Sequence, residues 1–195
     1  LQWQYNRDQR EPAFWLNHRI LAYFAVDLYE AWMTTELKGA DTYFLPFNQG
    51  SNGAGNDGGA GNPQAKDDDY VTSYIWENVL QKDSLLDIIQ KFISFEVKTE
   101  KKDGKNVTKK RLIFPRFHQL DVVRKLVADV RENGSGHNYL IQHSAGSGKS
   151  NSIAWTAYRL ASLHNDANEP IFTSVVIVTD RRNLDAQLQE TITGF

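Results

Sequence analysis

The fold class of this chain is indicated most clearly by the run His143-Ser144-Ala145-Gly146-Ser147-Gly148-Lys149-Ser150. The apolar segment 139–141 before it predicts a β-strand over 139–142, and residues 151–163 after it predict a helix. A glycine-rich turn between a strand and a helix is typical of a phosphate-binding loop. The glycines let the backbone curl so that its N–H groups point at phosphates, and the helix that follows contributes its positive dipole end.

The predicted roles of the loop residues follow from their chemistry. Lys149 can reach the β- and γ-phosphates of a nucleotide and is the candidate catalytic residue, whereas the Ser150 hydroxyl can ligate Mg²⁺. The predicted nucleotide contacts in the loop are Ser144, Ala145, Gly146, Ser147, Gly148, Lys149 and Ser150. His143 stands where the longer motif has its first glycine, but the shorter Gly-x-Gly-Lys-Ser form is complete. We expect His143 to pack or to hydrogen-bond rather than to bind a metal.

A second group of polar residues lies upstream, in Phe114-Pro115-Arg116-Phe117-His118-Gln119. A glutamine side chain both donates and accepts hydrogen bonds, so Gln119 can read N6 and N7 of adenine. Taken without the loop, Gln119 would be interpreted as a surface residue of a helix. With the loop 30 positions further on (149 − 119), adenine binding is the favoured interpretation.

A third group follows the β-branched run 175–178, which predicts a strand over 174–179. In an open parallel sheet the carboxyl ends of the strands carry ligands. Thr179, Arg181 and Arg182 are therefore candidates for contact with DNA phosphates. The alternative interpretation is a helix cap followed by solvated arginines.

The order of predicted elements indicates an α/β fold with a parallel sheet in the C-terminal part. The apolar spacing of residues 11–37 predicts a helix, and residues 42–47 predict a short strand. Residues 48–63 are rich in Gly and Asn and predict a loop, which composition alone favours as a mobile linker. Further helices are predicted over 70–80, over 85–95 with Ser84 as its cap, over 116–132 and from 183 onward.

The chain has 195 residues, no Cys and a formal net charge of −2. The absence of Cys agrees with a reducing compartment, and no apolar run is long enough to span a membrane. The basic charge is concentrated in residues 98–131, which hold 11 Lys/Arg against 4 Asp/Glu. Alternation around Asp103-Gly104 predicts a β-hairpin in this stretch. Its charge is compatible with a phosphate backbone and also with a plain solvated hairpin.

Two short patterns, Glu36-Leu37-Lys38 and Glu96-Val97-Lys98, have the spacing found in metal-dependent nucleases. Such a site also needs an Asp on an adjacent strand, and Asp27 falls within a predicted helix. Solvated charges are therefore the favoured interpretation of both patterns.

Taken together, the motifs at 114–119, 142–150 and 178–185 resemble the restriction (R) subunit of type I restriction–modification enzymes. The resemblance extends upstream through 44–48 and 59–63, so it covers nearly the whole chain. It implies a large cytoplasmic subunit with a nuclease region followed by two RecA-like motor domains, which works with methylation and specificity subunits. It also implies that ATP and Mg²⁺ drive translocation along double-stranded DNA, which leads to endonucleolytic cleavage.

Under this resemblance, residues 1–97 are the end of the nuclease region and a mostly helical α+β connector, and 98–114 are a basic hairpin. Residues 115–195 begin the first RecA-like ATPase domain. The nuclease carboxylates are expected before Leu1, and the motor carboxylates and arginines beyond Phe195. We therefore expect these 195 residues alone to be a very poor ATPase and no nuclease.

Three alternatives are open at this stage. The chain can belong to another superfamily-two DNA translocase, or to a phosphate-loop enzyme that acts on a small molecule. It can also be a scaffold in which the loop is only structural.

Overall fold

The computed structural model describes residues 10–192 of the chain, apart from 16–18, 66–68, 103–104, 181–187 and 190. It divides into two compact units, Leu1–Phe117 and His118–Phe195.

The first unit contains a three-stranded antiparallel sheet. Its strands are β1 (Tyr23–Val26), β2 (Ala31–Thr34) and β3 (Leu45–Pro46), in the order β1-β2-β3. The turn between β1 and β2 is closed by Asp27, whose Oδ1 accepts the backbone N–H groups of Tyr29 and Glu30, both at 2.8 Å. These two hydrogen bonds hold the pKa of Asp27 below its usual value, because they favour the ionised form.

The helix predicted over 11–37 is therefore wrong in the residues that the structure describes. This stretch forms a 3₁₀ turn at Pro12–Phe14 and then the β1–β2 hairpin. Ala31 and Met33 are buried while Trp32 between them is exposed, which is the two-residue period of a strand. Aromatic and apolar residues are dense enough here to fit both periods, and the Asp27 turn and strand pairing decide in favour of the sheet. The expectation of a mostly helical segment fails with it.

Residues 48–63 form the predicted loop, but its two ends are joined, unlike those of a linker. The backbone N–H of Gly50 donates to the carbonyl of Gly61 at 2.8 Å. Asn62 accepts the N–H of Gln49 at 2.9 Å, and its amide nitrogen donates to the Tyr29 carbonyl at 2.9 Å and to Asn48 Oδ1 at 3.0 Å. We call residues 48–63 the asparagine loop.

The helical part of the first unit is short. A single π-helical turn, Ile75–Val79, lies within the predicted helix 70–80, and α1 (Lys82–Lys91) replaces the predicted helix 85–95. Ser84 does not cap α1: it lies in the first turn, and its hydroxyl donates to the Val79 carbonyl at 2.8 Å. The helix ends early because residues from Ser94 onward pair in a strand.

The predicted hairpin is confirmed. Strands β4 (Ser94–Lys102) and β5 (Lys105–Ile113) pair in antiparallel register over nine residues each. The core of the first unit is aromatic. The ring of Phe47, which is fully buried, contacts those of Phe24 at 5.2 Å and Phe117 at 5.9 Å between centroids. The Tyr74 hydroxyl donates to the Phe47 carbonyl at 2.9 Å, and burial raises the pKa of this phenol.

The second unit is organised by two helices, α2 (Phe117–Asn133), whose first residue is the last of the first unit, and α3 (Lys149–Ala161). Both confirm sequence predictions to within two residues. Gly134 ends α2 with a left-handed φ of +75°, and its N–H donates to the Val130 carbonyl.

The parallel sheet predicted for this region is not formed among the described residues. Residues 139–142 and 174–179 are not strands, because neither has a hydrogen-bonded neighbouring strand. Their apolar side chains lie at the surface: Leu140 is 92% exposed and Val176 is 80% exposed. The helix predicted from 183 falls mostly outside the described residues, although 188–189 and 191–192 are helical. In the described parts of the chain, no helix is both long and apolar enough to cross a membrane.

Candidate nucleotide-binding site

The loop of residues 143–150 leads into α3 and contains two glycines with left-handed backbone angles. Gly146 and Gly148 adopt left-handed φ angles of +73° and +81°, which residues with a Cβ adopt only at a cost. Gly148 is the N-cap of α3, so the loop runs directly into the first turn of a helix. The first N–H groups of any helix have no partner one turn earlier in the helix, and here those of Asn151 and Ser152 donate to the Gly148 carbonyl at 3.1 and 3.4 Å. The loop therefore lies at a helix N-terminus, whose positive dipole end suits an anion.

Lys149 is folded back over the loop. Its ammonium group donates to the carbonyls of His143 at 3.1 Å and Ser144 at 2.9 Å, while the residue remains exposed. These two bonds hold the positive charge next to the backbone donors of the loop. A bound anion at this position would meet both the ammonium group and the helix N-terminus.

Two side chains at the start of α2 hold the loop from its other side. The amide nitrogen of Gln119 donates to the Gly148 carbonyl at 2.8 Å and to the Ser147 carbonyl at 3.3 Å. His118 Nε2 lies 3.0 Å from the Ser147 carbonyl, so it donates in the tautomer that carries a proton there. Gln119 is only 3% exposed, which excludes the surface-residue interpretation.

A side chain at position 148 would have to displace the Gln119 amide from the loop. A Cβ built on Gly148 would lie 2.5 Å from the Gln119 amide nitrogen. Together with its left-handed φ, this contact explains why a glycine is needed at this position.

His143 packs as expected, and no metal is needed to explain it. Its ring meets the ring of His118 edge to face, with centroids 4.8 Å apart. Burial, and next the charge of Lys149, lower the pKa of His143, so that the ring is neutral near pH 7. Among the described residues, His143 Nδ1 and the hydroxyls of Ser147 and Ser152 are buried without a hydrogen-bond partner. Two of these three polar atoms belong to the loop itself.

Ser150, the predicted magnesium ligand, is the second residue of α3 and is partly exposed. Within the described ranges, no three His, Asp or Glu side chains are grouped so that they could hold a metal ion. A magnesium ion at Ser150 would thus depend on oxygen atoms from the nucleotide and from water, which is how Mg²⁺ is commonly bound with phosphates.

The predicted DNA contacts are only partly within the structure. Thr179 is partly buried at the end of the extended segment 174–179. Arg181 and Arg182 lie outside the described residues.

The two nuclease-like patterns are accounted for without a metal. Glu36 and Lys38 form an exposed ion pair with each other at 3.0 Å. Glu96 lies in the hairpin opposite Arg111, and Asp27 closes the β1–β2 turn. The preferred interpretation as solvated charges agrees with these positions.

The sequence did not identify two of the residues at this site. His118 is adjacent to Gln119 in the quoted motif, but a single histidine gives no signal that it faces the loop. Ser152 resembles any small residue of a helix that is buried on one side, and its 6% exposure follows only from packing.

Comparison with known proteins agrees with this geometry. The sequence model of the SWI2/SNF2 ATPase family matches residues 118–195, the whole second unit. The chain is also 29% identical over 127 residues to the "Type I restriction enzyme HindI endonuclease subunit" of Haemophilus influenzae. That match covers 65% of this chain and 11% of the relative, so the chain spans about a tenth of its length. No solved structure matches significantly. The resemblance to type I restriction subunits that the motifs indicate is confirmed, and the second unit is similar to helicase-type ATPases.

Proposed function

We propose that this chain, a relative of type I restriction subunits, is the part of such a subunit that binds ATP and Mg²⁺ to drive movement along double-stranded DNA, which leads to cleavage. The observation that carries the proposal is the loop of residues 143–150. Its left-handed glycines, Lys149 and the start of α3 lie within the segment that matches an ATPase family.

The residues of the loop fit a nucleoside triphosphate. The backbone N–H groups of the loop and of the first turn of α3 would bind the phosphates. The buried Ser147 hydroxyl, which has no protein partner, offers a further donor. Lys149 would exchange one or both of its carbonyl partners for phosphate oxygens, and Ser150 would help to hold Mg²⁺. Bound ATP supplies the phosphoanhydride bond whose hydrolysis powers the motor.

Gln119 would contact adenine while it supports the loop. Its amide nitrogen already donates to two loop carbonyls, so a bound adenine base would be linked through this one side chain to the phosphate-binding backbone. If Gln119 both contacts adenine and bonds the loop, the conformation of the loop would depend on whether adenine is bound.

The surface of the second unit supports a RecA-like parallel sheet in the whole protein. Leu140, Val176 and Val178 are each at least 80% exposed. Such exposure is unusual for apolar residues that stand in mainly apolar segments such as 139–141 and 175–178. Segments 139–142 and 174–179 would become strands once further strands pair with them, and pairing would bury these side chains. Thr179, Arg181 and Arg182 would then lie at the carboxyl edge of the sheet, where they would contact DNA phosphates.

The remaining parts of the proposal rest on the relative. As an ATP-dependent deoxyribonuclease subunit, the protein would work in the cytoplasm with methylation and specificity subunits. Another superfamily-two DNA translocase is the second candidate, because the family match over 118–195 describes an ATPase without a nuclease.

The test is ATP hydrolysis by the full-length protein, assembled with its co-purifying subunits, with and without double-stranded DNA. We expect strong stimulation by DNA and a loss of at least about 100-fold in Lys149→Ala, because a positive donor that faces the reacting phosphates is removed. Lys38→Ala is the matched control, since Lys38 is an exposed lysine on the other unit. Hydrolysis that ignores DNA, or that survives Lys149→Ala, would overturn the proposal.

A further inference from the structure

The β4–β5 hairpin carries a charge opposite to that of the rest of the chain. Residues 94–113 contain seven Lys/Arg and three Asp/Glu, a net charge of +4. Since the whole chain has −2, the other 175 residues carry −6. A local excess of this size on 20 residues creates a positive potential that attracts polyanions.

The register of the hairpin does not account for its basic residues. Lys98 is the register partner of Lys109, and one pair of opposite charge, Glu96 with Arg111, lies nearer the base of the hairpin. Positions of like charge that are register partners do not favour an antiparallel pair. The basic residues of the hairpin therefore call for an explanation other than its own strand pairing.

The base of the hairpin is fixed, while residues 106–111 of β5 are open to solvent. Leu112 is 2% exposed, and its carbonyl accepts the Thr35 hydroxyl at 2.9 Å. Lys109, Lys110 and the neighbouring residues 106–111 are all exposed. Nine residues per strand extend about 30 Å at the usual rise of a β-strand. A basic hairpin of this length, fixed at its base, can contact an extended polyanion.

A second cation strengthens the potential at the base of the hairpin. Arg116 is partly buried, and burial is the main cause of its lowered pKa, with a further contribution from the charge of Arg111. The two guanidinium groups are thus close enough to repel each other. An anion near them would relieve that repulsion.

We propose that the β4–β5 hairpin, residues 94–113, is an arm that binds the phosphate backbone of double-stranded DNA. A two-stranded β-ribbon has the width that the major groove of DNA admits. Lysine and arginine contacts to phosphates would give affinity without sequence preference. The inference rests on the proposed function only in its choice of DNA as the polyanion, and it requires no nucleotide.

Other polyanions fit this surface less well. Single-stranded nucleic acid is bound by aromatic platforms, and Phe95 at the base is the one aromatic residue in 94–113. A membrane surface needs an apolar face, and the hairpin does not offer one. Val97 is the register partner of Lys110, which lies three residues from Val107 on the same strand, so the exposed Val97 and Val107 lie on opposite faces. An acidic protein surface remains as the outcome that would refute the choice of DNA.

The first test is the salt dependence of duplex binding by the nucleotide-free full-length protein. In Lys109→Gln/Lys110→Gln we expect the slope of log K against log salt to fall by about 2, with a loss of affinity of about tenfold near 0.1 M salt. Lys109→Arg/Lys110→Arg should retain both values because it retains the charges. Lys38→Gln/Lys82→Gln removes the same charge from exposed positions elsewhere, and it should change neither. An unchanged slope in the first variant would overturn the proposal.

The second test locates the bound partner. A photo-crosslinking residue at Thr108, which is exposed on β5, should form an adduct with duplex DNA, whereas the same residue at Lys82 should not. An adduct with another protein subunit in place of DNA would refute the proposal. Repeating both tests in Lys149→Ala separates DNA binding by the hairpin from ATP hydrolysis at the loop, because the hairpin should still bind DNA when hydrolysis is lost. Conversely, DNA-stimulated hydrolysis with no contribution from the arm would refute this inference alone.

Discussion

Two glycine-rich loops, one in each unit, look alike in sequence but are used in opposite ways. The polar side chains of the asparagine loop, 48–63, bond the loop itself and the neighbouring β1–β2 hairpin. Asn62 bonds Gln49 of the loop and the Tyr29 carbonyl, and Ser51 accepts the N–H of Gly59. The proposed phosphate loop, 143–150, is instead bonded by His118 and Gln119 of α2, which lie outside the loop and contact its carbonyls.

The difference shows that glycine content does not define a binding loop. What distinguishes the phosphate loop is a helix that begins at its last glycine and a lysine at the first helical position. The asparagine loop has neither, and its left-handed glycines serve to close a turn on itself. The comparison also predicts that the same substitution will have different consequences in the two loops.

The largest expected difference is between Gly148→Ala and Gly61→Ala. Both glycines have left-handed φ angles, +81° and +95°, so alanine costs about 1–2 kcal/mol of backbone strain at either position. At Gly148 the new Cβ also displaces the Gln119 amide, whereas nothing lies within 4 Å at Gly61. We expect ATP affinity to fall about 100-fold in Gly148→Ala, from strain plus two lost hydrogen bonds.

Gly61→Ala should leave ATP affinity unchanged and lower only the stability of the first unit. Equilibrium titration with a fluorescent ATP analogue on the full-length protein measures the first effect, and thermal unfolding measures the second. Equal loss of ATP affinity in both variants would contradict the distinction between the loops.

An effect of intermediate size is expected for Asn62, whose side chain closes the asparagine loop. Asn62→Ala removes three hydrogen bonds, which contribute about 1 kcal/mol each, so the loop should open more readily by about 2–3 kcal/mol. Asn52→Ala, the matched control, removes one exposed bond to the Asp57 carbonyl and should cost less than about 1 kcal/mol. Hydrogen exchange of the backbone amides over 47–63 measures both. If the Asn62 variant stayed as protected as the Asn52 variant, the closed loop would be a wrong description.

Sequence reasoning succeeded where a local signal determines the structure. Asp103-Gly104 between alternating residues predicted the β4–β5 hairpin, and the apolar spacing of 116–132 predicted α2. It failed over 11–37, because the aromatic residues there fit both helical and strand periods. The outcome depended on pairing with β3, a strand 11 residues beyond β2 (45 − 34). Distant pairing of this kind has no local signal.

The candidate site shows the same limit. The loop and its helix could be predicted because the motif carries its own mechanism. The contacts of His118 and Gln119 to Ser147 and Gly148 join residues about 30 positions apart, and the amide of Gln119 gives no sign in sequence of which group it will bond. Residues 139–142 and 174–179 have strand-like sequences, but a strand also needs a neighbour, which these residues do not provide for each other.

The smallest expected effect concerns His118 and Gln119, the two side chains that hydrogen-bond to the carbonyls of loop 143–150. Gln119→Ala and His118→Ala each remove bonds to the loop, so both should weaken ATP and GTP binding, by about tenfold for Gln119, whose bonds are buried. Adenine contact adds a second effect to Gln119 alone, because an amide that pairs with N6 discriminates against guanine.

The ratio of ATP affinity to GTP affinity therefore separates the two roles of Gln119. It should fall in Gln119→Ala and stay constant in His118→Ala, in which the loop loses support but no adenine contact. Competition between ATP and GTP for the full-length protein measures this ratio. If both variants weakened the two nucleotides equally, Gln119 would be a support of the loop and not a reader of the base. The selectivity of the site for ATP would then have to come from residues elsewhere in the protein, since the backbone donors of the phosphate loop contact only groups that ATP and GTP share.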